Sequence, residues 1–132
     1  MQKGDQVITT VRKLEALCEL AAKYPRGLLV QRLDVTNPAE VTAAFAAGRE
    51  RFGRIDVVVN NAGFCVLAEV EGTSDHNARG IFEVNFWGAS HVSREAVRFF
   101  REENQPIGGR LVQVSSSAGI HPPPAIVYYG AR

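Results

Sequence analysis

The sequence predicts an α/β fold, a parallel sheet with helices on both faces. Two observations predict it. Short apolar, β-branched runs alternate with longer stretches whose apolar residues recur at helical spacing, in the order βαβαβαβ. The runs also have few polar interruptions, as strands buried on both faces do.

Each element has a local reason. Gln6 to Val11 is a β-branched run after Gly4-Asp5, with Val7–Val11 as its strand. Lys13 to Lys23 carries Leu14, Leu17, Cys18, Leu20 and Ala21 at helical spacing. That spacing makes Cys18 a small core residue. Pro25-Arg26-Gly27 ends the helix, and Leu28–Leu33 is the second strand. Thr36 or Asn37 caps a helix opening at Pro38, a residue suited to a first helical turn. Val41, Ala44, Phe45 and Ala47 form its apolar face, and Gly53 ends it. Ile55–Val59 is a nearly all-apolar strand, followed by a loop of glycine and small residues from Asn60 to about Thr73. Ser74 or Asp75 caps a long helix reaching about Asn104, with Phe82, Phe86, Ala89, Val92, Ala96 and Phe99 at its apolar positions. Pro106-Ile107-Gly108-Gly109 turns the chain into the strand Arg110–Val114.

Bulk properties narrow the function. At 132 residues this is one domain or part of one. The net charge of +1 gives no field to attract nucleic acid or an anionic membrane. Arg94, Arg98 and Arg101 share a helical face with Glu95, Glu102 and Glu103 beside them, which reads as a solvated surface. Cys18 and Cys65 have neither disulfide-framework nor metal spacing, so no metal is expected. No leader pattern opens the chain and no apolar run approaches a membrane span, so the expectation is a soluble, cytoplasmic protein.

Four motifs stand at strand ends or within the long helix. Asp34-Val35 ends the second strand. Asn60-Asn61-Ala62-Gly63 follows the third. Asn85 lies in Glu83-Val84-Asn85-Phe86-Trp87-Gly88. Ser116, in Val114-Ser115-Ser116-Ser117-Ala118-Gly119, precedes Tyr129 by thirteen residues. In this order the chain resembles a short-chain dehydrogenase/reductase over essentially its whole length. The resemblance implies a Rossmann-like doubly wound parallel sheet, here partial, and an NAD(P)-binding domain over residues 1–132. It also implies hydride transfer between a nicotinamide and a small-molecule alcohol or carbonyl.

The resemblance assigns roles residue by residue. Tyr129 is the general acid/base. Tyr128 is a poorer match, because the family's Tyr-x-Ala spacing fits only Tyr129-Gly130-Ala131. A tyrosine needs its pKa, near 10, lowered for this work. In the family a lysine at the fourth residue after the tyrosine supplies the charge. Here Tyr129 is followed by Gly130, Ala131 and Arg132. Ser116 orients the substrate oxygen, with Ser115 and Ser117 as alternatives. Asn85 interrupts helical bonding and holds a water. Asp34 contacts the adenine with Val35 beside it; otherwise Asp34 is a cap-like residue. Asn61, Ala62 and Gly63 let backbone approach the cofactor, though the asparagines also brace strands. Arg12, following Val11 where an acidic residue would hold a ribose hydroxyl, favours NADP, with NAD the alternative.

Two departures stand beside these matches. No G-x-G-x-x-G turn occurs, so the family's first βα unit has no counterpart in these 132 residues, nor have its later elements. The family's strand order places that first strand between the first and third strands of this chain, so a gap is expected there. The chain alone is therefore expected to be a poor or inactive dehydrogenase, and the alternative reading is an inactive remnant or binding module. A flavodoxin-like or receiver module shares the alternation but does not predict the Ser116–Tyr129 pair. Family members often pair through the long helix, which implies a homo-oligomer. The substrate is not legible, although His121-Pro122-Pro123-Pro124, Phe64 and Val66 border its place.

Overall fold

The structure, a computed structural model, describes residues 4–131. Strand β1 (Val7–Val11) is followed by a 3-10 turn and the short helix α1 (Cys18–Lys23), then by β2 (Leu28–Arg32). Helix α2 (Pro38–Phe52) leads to β3 (Val57–Asn60). Helix α3 (Asp75–Phe82) passes through a π-helical turn, Glu83–Gly88, into α4 (Ala89–Glu102). Strand β4 (Arg110–Gln113), a 3-10 turn at Ser117–Gly119 and α5 (Val127–Gly130) complete the described chain.

All strand pairing among the described residues is parallel. β1 runs beside β2 with Val7 opposite Leu28 and Val11 opposite Arg32. β3 runs beside β4 with Val57 opposite Arg110 and Asn60 opposite Gln113. No ladder joins the two pairs among the described residues, so the sheet is broken between β1 and β3. The gap expected from the resemblance falls at this break. Helix α2 still spans both halves. A Cβ at Gly48 would stand 3.2 Å from the Ile55 Cδ1 atom and would collide with Ile8 of β1.

The core lies between the sheets and two helices. Val41 and Phe45 of α2 meet Val92, Ala96, Phe99 and Phe100 of α4, with Val35 among them. The Phe45 and Phe99 rings are tilted by 53° at 5.5 Å between centroids, a favourable aromatic geometry. Val58 and Leu111 reach this core from β3 and β4. Their neighbours Val57, Val59 and Val112 point the other way, since strand side chains alternate, and all three are exposed. Helices therefore cover one face of β3–β4 among the described residues, which corrects the expectation of cover on both.

Helix α1 brings a second correction. None of its residues is buried, Leu20 and, in the 3-10 turn before it, Leu14 are exposed, and Cys18 is exposed rather than a core residue. The stripe has helical spacing and packs only loosely on β2, with Leu17 and Ala21 half-buried and Leu14, Cys18 and Leu20 left exposed. The long helix differs in kind. It is two α-helical segments around a π turn, and Ser74 caps the first by accepting the Asn77 N–H at 3.2 Å.

Candidate active site at the strand C-terminal ends

The register sets where the motifs meet. Val11 and Arg32 are opposite one another, so Arg12 and Asp34 leave the first sheet at the same end. Asn60 and Gln113 are opposite, so Asn61–Gly63 and Ser116 leave the second sheet at one end. Ligands of open α/β sheets bind outside the carboxyl ends of the strands.

At the first end, Asp34 forms an Asx turn. Its Oδ1 atom accepts the Thr36 N–H at 3.0 Å and the Thr36 hydroxyl at 2.8 Å. These two bonds hold the Asp34 carboxyl below its ordinary pKa, and the charges of Arg12 and Arg32 push the same way. Burial opposes them, by more than either arginine's charge adds. Asn37, not Thr36, caps α2, since its side-chain oxygen accepts the Ala39 N–H at 3.0 Å. Glu40 closes the motif by accepting the Asp34 N–H at 2.8 Å and pairing with Arg32 at 3.0 Å. Val35 turns its side chain into the core against Gly88. Its carbonyl lies 3.1 Å from His91 Nδ1, a bond the Nδ1–H tautomer donates. The side chain of Val35 therefore belongs to the core and not to the strand-end site.

At the second end, Asn60 is buried, and its Nδ2 donates to the Ala89 carbonyl at 3.0 Å, tying β3 to α4. Asn61, Ala62 and Gly63 follow as exposed loop. Asn85, on the π turn, grips the next residue with both ends of its amide. Its Oδ1 accepts the Phe64 N–H at 2.9 Å and its Nδ2 donates to the Phe64 carbonyl at 2.8 Å. A Cβ on Gly63 would stand 3.1 Å from that Oδ1 atom, so glycine suits the approach. π-helical turns recur at functional sites because they re-aim one side chain out of helical phase.

Ser116 caps the 3-10 turn, its Oγ accepting the Ala118 N–H at 3.2 Å. Ser116 is half-buried, whereas Ser115 and Ser117 are exposed. Tyr129 lies on α5, which rests on that turn. A Cβ on Gly130 would stand 3.1 Å from the Ala118 carbonyl oxygen and 2.9 Å from Pro122. Tyr128 instead borders a shallow depression with Arg79, Phe82 and Trp87. The loop after Gly63 is tied to the segment before Tyr129, because the Ala68 N–H donates to the Ala125 carbonyl at 2.9 Å. Ala125 sits at φ 66°, a left-handed conformation seldom adopted outside glycine.

The structure thus brings Ser116 and the helix of Tyr129 together, and Asn85 together with the Gly63 loop. It groups Arg12 with Asp34 at the other sheet. Arg132 lies outside the described residues. Sequence reasoning missed Glu40 and Asn104. Glu40 had a signal, since Asn37-x-x-Glu40 has capping-box spacing. Among the described residues no three His, Cys, Asp or Glu side chains gather as a metal site, and no helix is long and apolar enough to cross a membrane.

The fold has counterparts among known proteins. A family model described as "short chain dehydrogenase" matches residues 1–132. The oxidoreductase calM of Penicillium decumbens is 38% identical over 98% of this chain and 43% of its own length. A short-chain dehydrogenase from Streptomyces avermitilis superposes with a TM-score of 0.87 at 33% identity, over 98% of this chain and 48% of its own. The 3-ketoacyl-(acyl-carrier-protein) reductase of Brucella melitensis, complexed with NADH, gives 0.89 at 25% identity, over 98% and 54%. The chain spans about half the length of the proteins it matches.

Proposed function

The chain belongs to the short-chain dehydrogenase family, and from that premise we propose that its strand-end site serves hydride transfer between NAD(P) and an alcohol or carbonyl compound. The observation that carries this reading is the seating of the Tyr129 helix on the turn capped by Ser116.

The residues suit a dinucleotide. The loop Asn61–Gly63 is exposed and its Ala62 and Gly63 carry little bulk, so backbone can approach a flat ring. Asn85 holds the peptide that follows. Asp34, kept ionised by Thr36, faces the adenine end. Arg12 beside it suits a 2′-phosphate, which favours NADP over NAD. The bound nicotinamide supplies or accepts the hydride. The phenolic oxygen of Tyr129 gives its proton to a carbonyl oxygen being reduced, or takes one from an alcohol being oxidised. The Ser116 hydroxyl turns to donate to the same oxygen and stabilises its developing charge. We place the protein in the cytoplasm, acting on a small molecule and pairing with a second copy through the long helix.

The test is a chimera in which residues 1–132 are flanked by the N- and C-terminal segments of the Streptomyces dehydrogenase, assayed with NADPH and a panel of ketones. Tyr129→Phe is expected to lower kcat by about 10²–10⁴. Turnover indifferent to that change would refute the assignment.

A further inference from the structure

We propose that His91 is a positioning residue for the dinucleotide. By gripping the Val35 peptide it sets the span between the Asp34 turn, after β2, and the loop from Asn61 to Phe64, after β3. The inference rests on the NAD(P) site proposed above and adds the residue that aligns its two ends.

Those ends leave different sheets, and no ladder joins the sheets among the described residues. One short stretch, Asn85 to His91, reaches both. Asn85 holds the Phe64 peptide through both ends of its amide. The Ala89 carbonyl accepts from Asn60 Nδ2 at 3.0 Å. Three residues after Gly88, on the same helical face, His91 brings Nδ1 to 3.1 Å from the Val35 carbonyl. Gly88 permits that approach, since a Cβ there would stand 2.5 Å from Val35 Cγ2.

The other polar contacts of the Asp34 turn are local. Thr36 donates twice to Asp34 Oδ1, and Glu40 accepts the Asp34 N–H. They shape the turn but tie it only to β2 and α2. Val35 also packs in the core, yet apolar contact is non-directional. The His91 bond is directional, and it joins the turn to the helix that carries the other end of the site. In a neutral ring the same bond keeps the proton on Nδ1 and leaves Nε2 bare.

The experiment has two arms. In the 132-residue chain at alkaline pH, imidazole nitrogen correlation spectra should show the His91 proton on Nδ1. A proton on Nε2 with Nδ1 bare would overturn the proposal. In the chimera, His91→Leu should weaken NADPH binding about fivefold or more, the scale of one net hydrogen bond. Adenosine 2′,5′-bisphosphate reaches only the Asp34 end, so its affinity should change by less than about twofold. His91→Asn keeps an N–H at the place of Nδ1 and should restore NADPH binding. Equal weakening of both ligands would mark a merely structural role and overturn the proposal. So would NADPH binding indifferent to His91→Leu, or lost as fully in His91→Asn. Should His91→Leu fail to fold, the Nδ1 proton and NADPH binding by His91→Asn decide alone. Neither arm needs turnover. A chimera that binds NADPH but ignores Tyr129→Phe therefore sinks the catalytic reading and leaves this one standing. A chimera with His91 intact that binds no NADPH sinks both.

Discussion

Asp34 shows how one residue links stability to pH. Its folded pKa is lowered chiefly by the Thr36 N–H and hydroxyl. The stability from those bonds is fully present above the unfolded value of about 4 and is lost as pH falls through the lower folded value. Thermal melts from about pH 2.5 to 7 should show it. Asp34→Asn should lower stability at neutral pH and flatten the acid-side fall; an acid branch identical to that of the parent chain would contradict the account. Asp34, Asn85, Ser116 and Tyr129 were all legible as motif positions, because their spacing along the chain is visible without coordinates. Cys18 and the side chain of Val35 were not. A helical stripe states which residues are apolar, not whether anything covers them. Val35 follows a strand end, and only the packing of Gly88 against it reveals that it points inward.

At the scale of elements, the π turn and the end of α4 carry the most. Asn104 is fully buried, just past α4. Its Nδ2 donates to the Ile55 and Gly108 carbonyls, each at 2.7 Å, and its Oδ1 accepts the Ile55 N–H at 3.2 Å. It fastens the entry to β3 to the turn before β4. Asn104→Leu leaves three part-buried backbone groups without this partner; a fully buried group so stranded costs about 1–3 kcal/mol, so urea unfolding should show a loss of about 1 kcal/mol or more. A loss below about 0.5 kcal/mol would show that water takes over the clamp. Nothing in the sequence marked Asn104, since a polar residue at a helix end reads as exposed. The π turn was equally hidden. Periodicity over thirty residues predicts one long helix, and a single added residue in one turn barely disturbs it. Asn85→Ala frees the Phe64 peptide, so hydrogen exchange at Phe64 should accelerate about tenfold or more, a lost bond being worth about 1 kcal/mol or above. Unchanged exchange would mean the loop is held by other contacts.

At the scale of the molecule, the strands and helices were readable because composition and period fix them locally. The broken sheet was readable only through the resemblance, since strand order depends on partners distant in sequence. The open face of β3–β4 was missed, because Val57, Val59 and Val112 have the composition of strands buried on both faces. The 132-residue chain alone carries neither a glycine-rich turn nor a lysine after Tyr129. Assayed by itself it should reduce ketones far more slowly than the chimera. Equal rates would show that neither feature matters to this site.

The central claim is that Ser116 and Tyr129 act on one substrate oxygen beside a nicotinamide. A crystal structure of the chimera with NADPH and a ketone it reduces tests it most directly. The account predicts the Ser116 Oγ and Tyr129 hydroxyl each within about 3 Å of the ketone oxygen, with Arg12 at the 2′-phosphate. Hydroxyls turned to opposite faces, more than roughly 10 Å apart and out of reach of any shared oxygen, would contradict it.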